Sequence, residues 1–142
     1  MRGEGNMPFV LDASIAISWA LSDENEATAT AALKRADSDS CVMPALWWFE
    51  IRNAMLMAER RKRLTSSDTA SFLREVAELR ITEDFSPEET DLLQLARKHK
   101  LTVYDAAYLE LARRRSIPLA TLDAALARAA RAEKVPLIGR TS

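Results

Sequence analysis

Short apolar runs alternate along this chain with longer segments of helical periodicity. The apolar runs are typical of buried strands and cover residues 8–11, 41–43, 119–122 and 135–138, with a weak strand or connector at 80–85. Apolar residues at helical spacing and capping residues predict helices over residues 46–63, 65–79, 87–98, 103–115 and 124–132. Residues 15–21 show no clean alternation and are predicted to form a short helix, and an Ala-rich helix is predicted to run to Ala36. Strands that alternate with helices predict an α/β domain with a mainly parallel central sheet.

Polar residues mark the starts of two of these helices. Asp23 and Glu26 have the spacing of a capping box. Ser86 and Pro87 have the pattern of an N-cap followed by a first-turn proline. Both patterns favour helix initiation at these points.

The stretch 101–123 contains two acids, one at the start of a predicted helix and one at the end of a predicted strand. Thr102 is a predicted N-cap, which places Asp105 in the first turn of a helix, and the strand at 119–122 leads directly to Asp123. The predicted apolar face of this helix consists of Tyr104, Tyr108 and Leu111. Taken singly, each acid has a structural explanation, because Asp105 could complete a capping box with Thr102 and Asp123 could cap the next helix.

Glu50 is the least ordinary acid in the sequence. It lies beside the apolar stripe of its helix, directly after Trp47, Trp48 and Phe49. Positions 46, 47, 53 and 54 are Leu, Trp, Asn and Ala, so no cation lies three or four residues away. A buried carboxylate without compensation is costly unless it is protonated, paired at long range or bound to a metal. The alternative is a solvated glutamate at the edge of the stripe.

Four carboxylates are predicted to meet at one edge of the sheet. Right-handed crossovers bring the carboxyl ends of parallel strands to a common edge. Asp12 and Asp123 follow strands directly. Asp105 begins a helix, and Glu50 lies one turn into a helix that starts from a strand end. Such groups repel one another and raise one another's pKa values, whereas Mg²⁺ and Mn²⁺ seek clusters of oxygen ligands.

Composition and charge exclude several classes of protein. The chain has 142 residues, enough for one domain, and its 20 Lys and Arg against 21 Asp and Glu give no global basic field. Cys41 is the only cysteine and lies in an apolar run, which predicts a buried thiol in a reducing compartment. No apolar run approaches membrane-spanning length, so we expect a soluble, cytoplasmic protein.

His99 is the only histidine, and its place on the apolar side of a helix predicts a half-buried structural role. A single histidine excludes sites built on paired histidines and disfavours Ser/His/Asp triads and His-ligated zinc. The three glycines, at positions 3, 5 and 139, form no phosphate-binding loop motif.

Four segments together resemble the PIN-domain ribonucleases, and most closely the VapC-type toxins of bacterial and archaeal toxin–antitoxin pairs. The segments are VLDAS at 10–14, PALWWFEIRNAM at 44–55, LTVYDAAYLELARRRSIPLATLD at 101–123 and the following ALARAA. The resemblance covers residues 8–138. It implies a PIN-like three-layer α/β/α fold, with residues 8–142 as a single domain and residues 1–7 as a poorly ordered extension.

The resemblance also implies a function and a set of site residues. The family's acidic quartet falls on Asp12, Glu50, Asp105 and Asp123. These residues would hold Mg²⁺, or Mn²⁺, directly or through water. Three further positions match the family, at Ser14, Asn53 and Thr121, and of these Ser14 and Thr121 would orient the carboxylates or a water molecule. The implied activity is that of a metal-dependent endoribonuclease, in which metal-activated water hydrolyses RNA phosphodiester bonds.

Partners follow from the same resemblance. It implies a homodimer, and inhibition by a cognate antitoxin protein whose C-terminal segment wraps a groove near the helical hairpin. A helix-in-groove contact would suit the surface around Trp47, Met55 and Phe72, although core packing is the alternative use of these side chains.

Two other functions remain open at this point. One is a non-catalytic PIN-like module that binds RNA or protein, which the intact acidic quartet disfavours. The other is a phosphatase or phosphotransferase that uses Asp12 as its nucleophile. Such enzymes usually carry a second Asp at the position of Ser14, which disfavours this alternative.

Overall fold

The computed structural model describes residues 7–21 and 27–139. The predictions for residues 1–6 and for the capping pair Asp23 and Glu26 lie outside the described residues.

Four parallel strands form the central sheet. They are β1 (Phe9–Leu11), β2 (Cys41–Pro44), β3 (Ile81–Asp84) and β4 (Leu119–Ala120). The strand order is β3-β2-β1-β4, so β1 lies between β2 and β4. Leu11 is in register with Ala120. Asp12 and Thr121 therefore leave the sheet side by side at its carboxyl edge.

Helices cover the sheet in the three-layer α/β/α arrangement expected from the sequence. They are α1 (Ala13–Leu21), α2 (Ala27–Ser38), α3 (Trp47–Arg60), α4 (Ser66–Ala77), α5 (Glu89–His99), α6 (Val103–Arg115) and α7 (Ala124–Ala132). Helix α6 packs against β1, β2 and β4, and its residues 106–112 are all buried. Within the described part of the chain, no helix combines the length and apolarity needed to cross a membrane.

The strand predicted at 135–138 is much shorter in the structure than predicted. Only Leu137 forms a bridge there, with Leu119. The backbone N–H of Leu119 donates to Pro136 O at 2.9 Å, and the N–H of Ile138 donates to Leu119 O at 3.0 Å. Pro136 has no N–H to contribute to a ladder, and Gly139 turns the chain away with φ +74°. The strand predicted at 119–122 is likewise shorter, since β4 stops at Ala120.

The start of α5 also differs from the prediction. Glu88, rather than Ser86, is its N-cap, and the Glu88 side chain accepts a hydrogen bond from Asp91 N at 3.2 Å. The backbone N–H of Glu88 donates to the buried Glu110 at 3.2 Å. Because of this contact, the N-cap of α5 lies two residues later than the Ser-Pro pattern indicates.

The surface predicted for a partner helix belongs to the core. Trp47, Met55 and Phe72 are all buried, which confirms the core alternative for Met55 and Phe72. The exposed apolar side chains of α3 are Trp48, Phe49 and Leu56. Tyr104, predicted on the buried face of α6, is 64% exposed because the first turn of the helix extends beyond the core.

Candidate active site

Asp12 lies at the carboxyl end of β1 and is only 5% exposed. Its oxygen Oδ2 accepts two short hydrogen bonds, from Thr121 Oγ1 at 2.6 Å and from Ser14 Oγ at 2.8 Å. The described residues provide no hydrogen-bond donor to the other oxygen, Oδ1. A buried carboxylate oxygen without a donor is unusual, because buried polar atoms are nearly always satisfied.

The two hydroxyls that hold Asp12 also hold the chain after β4. Ser14 Oγ accepts a hydrogen bond from Leu122 N at 3.0 Å, and Thr121 Oγ1 accepts one from Asp123 N at 3.0 Å. Each hydroxyl thus donates to the acid on β1 and accepts from the segment leading to Asp123. The predicted positions of Ser14 and Thr121 beside the acids are therefore occupied as expected.

Asp123 has the capping role that its position also allowed. It is the N-cap of α7, and its Oδ2 accepts a hydrogen bond from Leu126 N at 2.7 Å. Although Asp123 caps a helix, it also lies close to the other acids, because its charge raises the pKa values of both Asp12 and Asp105.

Glu50 lies in the first turn of α3 and has a partner that the sequence did not reveal. Tyr108 Oη donates a hydrogen bond to Glu50 Oε1 at 2.5 Å. The interpretation of Tyr108 as a core residue of α6 was correct but incomplete. A usable signal existed, since a fully buried tyrosine hydroxyl nearly always needs a hydrogen-bond partner.

Asp105 lies in the first turn of α6, as predicted. Thr102 caps the helix by accepting a hydrogen bond from Asp105 N at 3.0 Å. Desolvation and the charge of Asp123 raise the pKa of Asp105, and a hydrogen bond with the Thr102 side chain opposes them in part.

The four acids form a cluster of like charges that no cation of the described residues compensates. Desolvation is the first cause of the raised pKa of Asp12 and of Glu50, and repulsion between acids adds to it in both cases. Hydroxyl hydrogen bonds oppose these shifts without reversing them. Within residues 7–21 and 27–139, no Lys, Arg or His forms an ion pair with any member of the cluster.

This repulsion predicts a pH-dependent difference between the protein and its Asp105→Asn variant. A carboxyl group whose pKa is raised on folding binds its proton more tightly in the folded state, so its relative stabilisation is lost as the pH rises through that raised value. Without divalent ions, the variant should gain stability over the wild type from pH 4 to pH 7. Denaturant unfolding in EDTA measures the difference, and a constant difference across this range would contradict the prediction.

The donor set suits a hard divalent cation, since it consists of carboxylate oxygens with excess negative charge and includes Asp12 Oδ1, which receives no hydrogen bond from the described residues. No group of three or more His, Cys, Asp or Glu side chains in the described part of the chain is close enough to form a ready-made metal cage. The acids therefore fit such an ion by chemistry, while their side chains must converge further to bind it.

Three other polar residues lie away from this cluster. Asn53 is exposed and makes no hydrogen bond to the acids within the described residues. His99 is half-buried and structural, as predicted, with its Nε2 2.6 Å from Glu133 Oε2. Cys41 is a buried free thiol, and burial raises its pKa to about 12, which keeps it from acting as a thiolate.

Comparisons with solved structures give the same fold. The crystal structure of PAE2754 from Pyrobaculum aerophilum superposes with a TM-score of 0.66 at 22% identity, covering 87% of this chain and 86% of that chain. The crystal structure of FitAcB from Neisseria gonorrhoeae gives a TM-score of 0.52 at 18% identity, covering 92% and 96%. No curated protein matches the chain significantly.

A match to a protein-family model shows the family to which this chain belongs. The model of the PIN domain matches residues 9–132, which include all four acids of the cluster. PIN domains are generally nucleases, so the match supports a hydrolase that acts on nucleic acids. With its parallel sheet and the acids at the carboxyl edge of that sheet, the chain belongs to the PIN domain family.

Proposed function

We propose that this protein is a metal-dependent endoribonuclease and the toxin component of a toxin–antitoxin pair. The observation that carries the proposal is the cluster of acids, which no cation of the described residues pairs and in which the described residues give buried Asp12 Oδ1 no donor. A structural role alone does not explain why three acids with raised pKa values, Asp12, Glu50 and Asp105, lie together and near Asp123. A divalent cation would remove their repulsion on binding.

The cluster residues would hold Mg²⁺ or Mn²⁺, directly or through water, and they are Asp12, Glu50, Asp105 and Asp123. A bound cation supplies activation of water at neutral pH and neutralisation of the charge that develops on the phosphate. Ser14 and Thr121 saturate Asp12 Oδ2, which leaves Oδ1 as the acceptor available to a ligand. The N-cap bond to Leu126 restrains the Asp123 carboxylate at the edge of the site.

The test is cleavage of a mixed pool of structured cellular RNA by the purified protein with Mg²⁺, Mn²⁺ or EDTA. We expect discrete fragments with 5′-phosphate and 3′-hydroxyl ends in the presence of either metal and none in EDTA. Asp105→Asn should reduce the cleavage rate by about 10²–10³, the order of effect of removing one electrostatic group from an active site, because it removes a carboxylate that would hold the cation.

Asp91→Asn is the matched control. Asp91 occupies the third position of α5, as Asp105 does in α6, but it has no part in the cluster. This variant should cleave RNA at the wild-type rate. If folded wild-type protein free of any antitoxin cut nothing under any condition, the non-catalytic binding module would replace the nuclease as the function.

The proposal extends to partners and location. We place the protein in the cytoplasm as a homodimer that a cognate antitoxin protein inhibits, with residues 8–142 as one domain. The exposed apolar side chains of α3, Trp48, Phe49 and Leu56, provide surface for such contacts. Light scattering with and without the product of the adjacent small gene tests this point, and an inert monomer that ignores that product would oppose it.

A further inference from the structure

The hydroxyl of Tyr108 lies among the elements that carry the acidic cluster. Tyr108 lies in α6, one turn after Asp105, and its Oη donates to Glu50 Oε1 on α3 at 2.5 Å. The backbone amide of Ala13, the first residue of α1 and the neighbour of Asp12, is near the same oxygen and opposes in part the rise in the pKa of Tyr108. The phenol oxygen thus links α6 to Glu50 on α3 and lies close to the backbone beside Asp12.

Packing alone does not require this hydroxyl. The Tyr108 side chain is 0% exposed, and a phenylalanine ring would fill the same apolar space. A hydroxyl at such a position is retained where it has specific hydrogen bonds to make. Tyr108 uses its hydroxyl as a donor to the Glu50 carboxylate.

Glu50 needs an external restraint to stay in the cluster. Its side chain has several rotatable bonds, whose freedom opposes any fixed position. The negative charges of Asp12 and Asp105 also repel it, and no cation within the described residues holds it in place. The hydrogen bond from Tyr108 is short, as charge-assisted hydrogen bonds are, and it opposes the escape of the carboxylate to solvent.

We propose that Tyr108 is a positioning residue that keeps the Glu50 carboxylate in the acidic cluster, and so sets the affinity of the cluster for a divalent cation. The inference rests on the proposed function, because it concerns the same cation. It goes further by assigning a role to a residue outside the acidic quartet.

The test is Mn²⁺ binding to the purified full-length protein, followed by electron paramagnetic resonance and by calorimetry. Tyr108→Phe removes one oxygen atom, and we expect it to weaken Mn²⁺ binding about 10- to 100-fold, as loss of a residue that orients a ligand typically does. Tyr104→Phe is the matched control. It makes the same change one turn earlier on α6, at a side chain that is 64% exposed, and it should leave the affinity unchanged.

A double variant separates positioning from a merely structural role. If Tyr108 acts through Glu50, Tyr108→Phe should cause no further loss of affinity in a Glu50→Gln background. Binding is measured below the melting midpoint of the least stable variant, so that every protein is folded. A structural role would lower the melting midpoint of Tyr108→Phe and leave the Mn²⁺ affinity at the wild-type value.

The outcomes distinguish this inference from the function on which it rests. If Glu50→Gln weakens Mn²⁺ binding and Tyr108→Phe does not, the inference is wrong and the proposed cation site stands. Equal additional losses in the wild-type and Glu50→Gln backgrounds would also overturn it. If the wild type binds no Mn²⁺ and cuts no RNA, both proposals fail together.

Discussion

Replacing Asp12 with asparagine is expected to slow RNA cleavage greatly and to make the protein more stable. Asp12 is buried, and burial together with repulsion from Asp105 and Asp123 raises its pKa despite two hydroxyl hydrogen bonds. An amide has the same shape and accepts those hydrogen bonds without a charge. We expect cleavage to fall by about 10²–10³, the usual effect of losing one stabilising group. The free energy of unfolding should rise by about 0.5–2 kcal/mol, the range of typical stabilising substitutions.

The gain in stability should depend on pH. Because the pKa of Asp12 is raised in the folded state, its relative stabilisation is lost as the pH rises through that value. The advantage of Asp12→Asn should therefore be present at pH 7 in EDTA and should shrink in acid, where Asp12 is itself protonated. Denaturant unfolding at several pH values measures this change.

Asp39→Asn is the matched control because it makes the same chemical change at another buried aspartate. Asp39 is 7% exposed, but it forms an ion pair with Arg35 at 2.9 Å. Its replacement should lower stability and leave RNA cleavage unchanged, which is the opposite of the effect at Asp12. If both variants lost stability and kept activity, the assignment of Asp12 to the active site would be wrong.

Replacing Arg114 with methionine is expected to cause the largest loss of stability. Arg114 Nε donates to Glu110 Oε2 at 2.7 Å, and its Nη2 donates to Asp84 Oδ2 at 2.7 Å. Glu110 is only 2% exposed and loses its cation in this variant, whereas the Arg114 side chain is 30% exposed, so the ion pair is partly buried. A buried acceptor left without its partner costs about 1–3 kcal/mol, and more when it is charged. Chemical denaturation at pH 7 should show a loss of this size.

Arg115→Met is the control for this substitution. Arg115 lies next in the sequence and is exposed, so its replacement should change stability by less than about 0.5 kcal/mol. The hydrogen bond from Arg114 lowers the pKa of Asp84, so this contribution is present above the ordinary pKa of Asp84 and is lost as the pH falls through the lowered value. The effect of Arg114→Met should therefore diminish in acid. Equal stability of Arg114→Met and Arg115→Met at pH 7 would show that the ion pairs of Arg114 do not stabilise the fold.

Local sequence patterns predicted the parts of the fold that local forces determine. The spacing of apolar residues indicated most helices of the described chain, α1 and α2 were predicted without it, and Thr65 and Thr102 begin or cap helices as expected. The convergence of the acids was also predictable, because parallel strands deliver their carboxyl ends to one edge. The same argument selected Asp12, Glu50, Asp105 and Asp123 from among the 21 acids in the chain, and the resemblance to the PIN family pointed to the same four.

Contacts between distant residues could not be predicted in this way. Tyr108 and Glu50 are 58 positions apart, and periodicity carries no information about which buried hydroxyl meets which carboxylate. Arg114 lies four residues from Glu110, yet its contact with Asp84 depends on how α6 packs beside β3. The prediction that α5 begins at Ser86 was wrong for the same reason. The contact of Glu88 with the buried Glu110 overrides the local Ser-Pro pattern.

The strand order has a consequence for the synthesis of the chain. β4 is the last strand to be translated, yet it pairs with β1, the first. Thr121 and Asp123 reach Asp12 only after this pairing has formed. A nascent chain on the ribosome can therefore contain Asp12 and Glu50 for most of its translation without an assembled cluster. The proposed nuclease therefore acquires its full acidic cluster only after the codons for Thr121 and Asp123 have been translated and β4 has paired with β1.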